Sequence, residues 1–556
     1  MFKFLHSLAL VTTTAAQLTC PGSFNKISAW DFSARLNPGW NTGNTLDAMP
    51  TETSWGQQPL VNETFTNAKN RGFKGIRIPV TWADHFIAND ANYTVDPAWL
   101  RRVYDSWLNP DATGFNRNET LAKFYRFWFQ IGTKLGCKSS LLAFETINEP
   151  SGNTSKAEDG DFLNNLHANM VKAISDAGGF NKDRVVILCG LSDGYTTATQ
   201  YLKLPPNMTN PWALTWHMYG PWSFTAAAFG DTIWGSDADN TDMYNNIHWG
   251  RTNFTNVPII IGEFGIGTAM TETAARWKYY DFVVNSAYSS NTSVMLWDAS
   301  SSFAPNTTQP YGDQTALDII IHAAKGVHNA LANSTENGND PTYWSSSQLF
   351  QKLGSPIQDT NLPFLWNNKS ITSISCSDGP CQPILRKGVD YQTNSQNITF
   401  TKDFMSSLFP SNAQSGLKAN MVFHFDQDAA DLRIPAYLWS KPSLAVTNVT
   451  ITNATAQNDL WVPIKYAGMP QVAMATAQMI NNTYLVNSWT QWSGPMIRGA
   501  ATYGDDWSYN GTHVAVLASD LQQVIAAGVT TVFTFECYPR TGTGDNNAIL
   551  TITPRE

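Results

Sequence analysis

The chain has 556 residues, 42% of them hydrophobic and 12% aromatic, with a formal charge of −9. That length exceeds one ordinary core, so two or three domains are expected. The acidic balance gives no electrostatic case for nucleic acid or an anionic membrane, and suits a neutral substrate better.

At the N-terminus, Lys3, the apolar run FLHSLALV and the small-residue stretch TTTAAQ read as a signal peptide over residues 1–16. The run is too short to span a bilayer. About fifteen Asn-x-Ser/Thr sequons, among them Asn62, Asn92, Asn118, Asn207 and Asn510, point with it to a secreted eukaryotic glycoprotein. Cys376 and Cys381 flank the turn sequence SDGP, so a local disulfide is expected between them. Since no Cys/His spacing matches a zinc site, neither a metal nor any other cofactor is expected.

From about Ile27 to Asn333, short apolar runs alternate with helical patterns, as parallel strands with covering helices do. In chain order the strand candidates are GWNTGNTL, GIRIPVTW, LLAFETIN, VVILCGL, ALTWHMYG, VPIIIGEFG and SVMLWDA. Most end on polar or aromatic residues, the arrangement of a (β/α)8 barrel whose active site lies at the C-terminal ends of its strands. Yet there are seven candidates where a closed barrel needs eight. Beyond STENGNDPTYW the helical period gives way to alternating stretches such as MVFHFDQD and TTVFTFECY. The expected division is a catalytic barrel over 17–340 and two β-sandwich modules over 345–440 and 441–556.

Two strand ends carry chemistry. FETINEP places Glu149 at a strand terminus, where a carboxyl faces a barrel mouth; alone, Asn148–Glu149–Pro150 reads as readily as a turn with a solvated glutamate. IIIGEFG ends an unbroken apolar strand on Glu263, which is costly unless that charge has partners or caps a helix. Together the pair suggests glycoside hydrolysis with retention, one carboxyl acting as acid and then base while the other attacks the anomeric carbon; such groups lie about 5–5.5 Å apart. Arg77 could hold Glu263 ionised. Tyr219 and His217 could donate hydrogen bonds beside it, and Trp297 offers a flat face to a pyranose.

GWNTGNTLDA, TSWG, GIRIPVTW, NEP, HMYG, GEFG and MLWD occur in this order and resemble glycoside hydrolase family 5, over most of residues 27–330. Within that family they resemble the broad-specificity endo-β-1,4-glucanases and xyloglucanases. The resemblance implies Glu149 as general acid/base and Glu263 as nucleophile. It implies Asn148 on the sugar 2-hydroxyl, Arg77, His217 and Tyr219 as supports, Trp297 as a sugar platform, and Asn44 and Trp55 as cleft-lining residues. The C-terminal half resembles the tail of certain bacterial family 5 enzymes, an immunoglobulin-like module followed by a family 46-like carbohydrate-binding module near the cleft. Trp489, Trp492 and Trp507 are candidate sugar contacts there, and sandwich-core positions suit each of them equally well.

The same resemblance locates the missing strand. A helix opens at Asp96, with Pro97 in its first turn and apolar residues at Leu100, Val103 and Tyr104, then runs into the loop NPDATGFN. Family members continue there through the rest of the helix and a third strand ending in His-His, roughly twenty residues at typical element lengths. His85 does not replace the lost histidine, because it follows the second strand. The expected function is a secreted, retaining endo-β-1,4-glucanase, a monomer acting on plant-wall xyloglucan, mixed-linkage glucan or cellulose. The alternatives are a catalytically impaired glucan-binding protein, the product of a mis-spliced gene model, and a mannan-active relative.

Overall fold

The computed structural model describes residues 17–81, 93–95, 116–225, 232–269, 271–297, 312–333, 347–377, 379–485 and 499–555. The proposed signal peptide, His85, Trp489, Trp492 and the stretch Asp96–Phe115 lie outside them. No helix among the described residues is long and apolar enough to cross a membrane.

Strands β1 Gly39–Asn41, β2 Gly75–Arg77, β3 Phe144–Glu145, β4 Val186–Cys189, β5 Trp212–Met218, β6 Ile259–Phe264 and β7 Thr292–Leu296 form one parallel sheet in the order β2-β1-β7-β6-β5-β4-β3. Each coincides with one of the seven apolar runs. Helices alternate with them: α1 Ala29–Leu36, α2 Asn62–Arg71, α3 Arg117–Leu135, α4 Ala157–Ala177, α5 Tyr195–Tyr201, α6 Trp222–Thr225, α7 Asp237–Asn253, α8 Thr273–Ser289 and α9 Gln314–Ala323. Every residue of β6 is buried, as expected of a parallel strand covered on both faces. Among the described residues no strand stands between β2 and β3, the place of the missing third strand, and those two are not paired.

Local chemistry sets the helices. Ser236 and Asp239 form a reciprocal capping box at the start of α7, and Glu272 accepts the Ala275 amide at the start of α8. Helices α3 and α4 pack through Phe124, Phe127 and Ile131 against Phe162, Met170 and Ile174. Each such aromatic contributes about 1.5–3 kcal/mol by leaving water. A disulfide between Cys20 and Cys137 ties the N-terminal segment to the residues just after α3; the sequence alone left both cysteines unassigned. Cys376 and Cys381 are bonded to each other.

The second module is a pair of four-stranded sheets, β12-β13-β10-β8 and β11-β14-β15-β9. These strands are β8 Leu331–Ala332, β9 Leu349–Lys352, β10 Thr360–Leu365, β11 Ile371–Ser377, β12 Tyr391–Thr393, β13 Asn397–Phe400, β14 Gly416–Phe425 and β15 Leu432–Trp439. Strand β8 pairs with β10, so a short stretch that the sequence division left with the barrel completes the sandwich. One hydrophobic cluster runs from Leu317 and Ile320 of α9 into Leu432 and Ile434 of β15, and Asp318 of α9 pairs with Arg433 at 2.9 Å.

The third module pairs β16 Ser443–Leu444, β18 Leu460–Lys465, β21 His513–Val516 and β20 Trp507–Tyr509 in one sheet. Its second sheet holds β17 Asn448–Ile451, β23 Asn547–Pro554, β22 Thr531–Cys537 and β19 Val472–Met479. It has its own core. Tyr509 donates to the Ala269 carbonyl at 2.5 Å and Arg540 to the Thr232 hydroxyl at 2.9 Å. The module therefore leans on the segments that leave β5 and β6, the latter the strand carrying Glu263.

Candidate active site

Glu263 is the next-to-last residue of β6 and only 4% exposed. A register shift against β5 lies between Ile261 and Glu263, and a bulge of this kind re-aims a side chain. Gly262 makes it possible: a Cβ there would stand 2.6 Å from the Thr215 hydroxyl and 3.4 Å from the His217 ring. Asn41 of β1, fully buried, locks the turn by donating to the Gly262 carbonyl at 2.9 Å.

Both Glu263 oxygens are engaged. Arg77 at the end of β2 donates Nη1 to Oε1 at 2.6 Å, and Tyr219 donates its hydroxyl to Oε2 at 2.8 Å. The rest of the Arg77 fork holds Glu145 through Nε at 3.0 Å and Nη2 at 2.8 Å, Asn41 at 2.9 Å and Asn148 at 2.7 Å. Burial alone would weaken the charge on Arg77, but Glu145 and Glu263 outweigh it and hold the guanidinium protonated. Burial and the neighbouring Glu263 carboxylate push the Tyr219 hydroxyl far above its ordinary value, so it stays a donor.

Glu149 sits in the loop after β3 with its side chain half exposed. Its Oε1 meets Nδ1 of His217 at 2.8 Å, and the hydrogen bond from His217 draws the carboxyl below its ordinary value against the opposing effect of burial. His217 is buried, which by itself would favour the neutral ring. Asp193, Glu263 and the bond to Glu149 reverse that and raise its affinity for a proton. A carboxylate oxygen of Glu149 and one of Glu263 lie within 4.8 Å of each other, with His217 between them. These three side chains are also the ones a divalent cation would use, but the Arg77 cation already stands on Glu263, a poor setting for a second positive charge.

Other expected residues fall around this centre. Trp297 follows β7 with its ring against Gly43, where a Cβ would come within 2.8 Å of it. Asn44 adopts a left-handed backbone with φ of 57° and donates its amide to Asp47. Trp55 is 51% exposed on the segment before Gly56. Trp507 is a correction: it is 2% exposed, donates Nε1 to the Ala501 carbonyl and packs on Tyr503 and Phe535, so it belongs to the core of the third module. Sequence reasoning missed Glu145, Asn41 and Asp193. The signal for Glu145 was a charge inside the apolar run LLAFETIN, and for Asp193 a charge closing VVILCGL.

A second chain of hydrogen bonds, Ser375 to His424 to Asp431 at 3.0 and 2.9 Å, crosses the second module. The Cys376 amide beside Ser375 is spent on the Pro383 carbonyl, and Ser375 itself pairs with Val422 and Ile384 in the sheet. Acyl transfer needs free donors at that point for an oxyanion, so the chain is structural.

Two carboxylates at the C-terminal ends of barrel strands, one clamped by an arginine and a tyrosine and one exposed beside a histidine, define a glycoside hydrolase. Residues 40–106 and 103–302 match the model of the cellulases of glycosyl hydrolase family 5, and residues 344–434 match carbohydrate binding domain X2. The barrel domain of this chain belongs to glycosyl hydrolase family 5. The two matched segments overlap at 103–106, within the stretch where the order of motifs points to a missing strand. Endoglucanase B of Paenibacillus lautus is 27% identical over 484 residues, covering 80% of each chain. A tri-modular subfamily 4 endo-β-1,4-glucanase from Bacillus licheniformis, solved with cellotetraose, superposes with a TM-score of 0.83 at 27% identity, covering 95% of this chain and all of that one. The tri-modular endo-β-1,4-glucanase B of Bacillus halodurans shares the fold at 20% identity, with a TM-score of 0.75 over 94% of this chain and 97% of that one.

Proposed function

We propose that the chain is a secreted, retaining endo-β-1,4-glucanase acting on neutral plant-wall glucans: xyloglucan, mixed-linkage glucan or cellulose. The observation that carries this reading is the pair Glu149 and Glu263, with oxygens within 4.8 Å, close to the spacing of retaining enzymes and too short to seat a water for inversion. Glu263, oriented by Arg77 and Tyr219, attacks the anomeric carbon while Glu149 gives its proton to the departing oxygen. Glu149 then takes a proton from the water that attacks the same carbon, releasing Glu263. Asn148 spends its carbonyl oxygen on Arg77, which leaves its amide NH2 for a sugar 2-hydroxyl. The exposed Trp55 and the partly exposed Trp297 suit pyranose stacking. The relatives that match over the three modules are endoglucanases, which supports the substrate class.

The test is reducing-sugar release from these glucans by the full chain and by Glu149→Gln and Glu263→Gln. Release that persists in both variants would overturn the assignment. A panel that includes mannan separates the mannan-active alternative.

The lack of a strand between β2 and β3 among the described residues favours a second reading, a glucan-binding protein of impaired activity. That reading expects retention on insoluble glucan without release. Trypsin cleaving at Arg102 and Arg117 must yield VYDSWLNPDATGFNR from the secreted, deglycosylated protein if the junction is real. A longer peptide encoding a strand that ends in His-His assigns the gap to a mis-spliced gene model instead.

A further inference from the structure

The loop after β4 grips the Glu149 loop at two points. The Ser192 amide donates to the Pro150 carbonyl at 2.9 Å, and the Glu149 amide donates to Oδ2 of Asp193 at 2.6 Å. The Asp193 side chain is fully buried, and its Oδ2 stands 3.4 Å from Nε2 of His217. Since Nδ1 of His217 meets the Glu149 carboxyl, a ring of contacts closes: Glu149 amide, Asp193 carboxylate, His217 imidazole, Glu149 carboxyl. Glu149, Ser192 and Asp193 all have left-handed backbones, with φ of 41°, 53° and 46°. Each costs about 1–3 kcal/mol in a residue other than glycine and persists only where its surroundings over-determine it.

We propose that Asp193 is a positioning residue for the acid/base step, anchoring the Glu149 amide and facing His217 so that the Glu149 carboxyl is held where the departing glycosidic oxygen is protonated. This rests on Glu149 being the acid/base. In the first step the Glu149 O–H bond breaks, its proton goes to the glycosidic oxygen, the C1–O bond breaks and the Glu263–C1 bond forms. In the second, water attacks C1, its proton passes to Glu149 and the Glu263–C1 bond breaks. Asp193 neither gains nor loses a proton in the cycle.

The charges support the geometry. His217 faces Asp193 from the loop after β4, Glu149 from the loop after β3, Glu263 from β6 and Arg77 from β2, with Tyr219 just past the end of its own strand. Asp193 heads the groups that raise its proton affinity. Asp193 in turn stands beside the Cys189 thiol, and burial pushes its own carboxyl up to about 6, with His217 opposing that rise.

The experiment compares the full chain with Asp193→Ala, Asp193→Asn and Glu149→Ala on soluble β-glucan and on 2,4-dinitrophenyl β-cellobioside, whose leaving group needs no proton. Asp193→Ala should lower turnover of the glucan by roughly 10²–10⁴-fold, the usual worth of general acid catalysis. Release of dinitrophenolate in the pre-steady-state burst should stay within about threefold. Asp193→Asn keeps an acceptor for the Glu149 amide but no charge, and should lower the His217 titration midpoint, read by ¹⁵N NMR, by about one pH unit or more. Equal losses on both substrates, or an unmoved His217 midpoint, overturn the proposal. If Glu149→Ala itself shows no dependence on leaving group, it is the acid/base assignment that fails, and the His217 midpoint still decides the role of Asp193.

Discussion

Replacing Arg77 with Met removes one cation from two buried carboxylates at once. The Arg77, Glu145 and Glu263 side chains are 10%, 18% and 5% exposed, so solvent screens the contacts little. Removing one partner of a buried pair costs about 3–5 kcal/mol, mostly because the charge left behind is uncompensated. Arg77 also reaches from β2 to Glu145 of β3, two strands that no backbone ladder joins to each other. At about 2–4 °C per kcal/mol for a domain of 150–250 residues, the barrel transition should fall by roughly 6–20 °C. Calorimetry at pH 7, with hydrogen exchange to assign the transition, reads this directly; amides around Ile76 and Phe144 should lose protection first. Arg77→Lys keeps the charge without the fork and should fall in between. A variant that loses activity yet melts within about 2 °C of the parent would show that Arg77 serves the chemistry alone and does not brace β2 against β3.

Tyr219→Phe removes a hydrogen bond to a charged oxygen worth about 1.5–3 kcal/mol, so kcat/KM should fall roughly ten- to hundredfold with an unchanged fold. Steady-state rates on an aryl cellobioside check it, and an unchanged rate would remove Tyr219 from the nucleophile's support. The Cys20–Cys137 bond closes a separation of 117 residues, for which chain entropy gives about 4–5 kcal/mol; Cys137→Ser should melt well below the parent. Melting at the same temperature would mean the crosslink constrains little. Burial pushes Asp281 on α8 up to about 7 from the ordinary 3.8, despite its bonds from Asn329. A native carboxyl that holds its proton more tightly than the unfolded chain loses stability as pH rises from about 4 to 7, here on the order of 4 kcal/mol. Urea midpoints across that range should decline for the parent and flatten for Asp281→Asn; parallel curves would exclude Asp281 as the source.

Most barrel strands were legible because they lie in apolar runs, buried throughout in β1, β4, β6 and β7, and Glu149 and Glu263 because each ends such a run with a charge. The order of motifs lacks one element between β2 and β3, and the described residues place no strand there. What the sequence hid depends on approach in space. Nothing local says that Glu145, inside a strand, meets Arg77 from 68 residues away, or that Asp193 folds back under Glu149. Cys20 and Cys137 carry no turn signal between them, unlike Cys376 and Cys381. Trp507 failed as a sugar contact because alternation along β20 was unreadable in so short a strand, and its indole faces the sandwich core. The stretch Leu331–Ala332 was too short to assign to either neighbour.

The most direct measurement is the intact mass of the full chain after incubation with 2-deoxy-2-fluoro-β-cellobiosyl fluoride. Fluorine at C2 disfavours the oxocarbenium-like transition state of both steps, while fluoride departs without acid help, so a covalent intermediate accumulates in a retaining enzyme. The expected result is a gain of one fluorocellobiosyl group, located on the tryptic peptide Thr252–Arg276 at Glu263 and absent from Glu263→Gln. Hydrolysis of glucan with no adduct, or an adduct on any other residue, would contradict it.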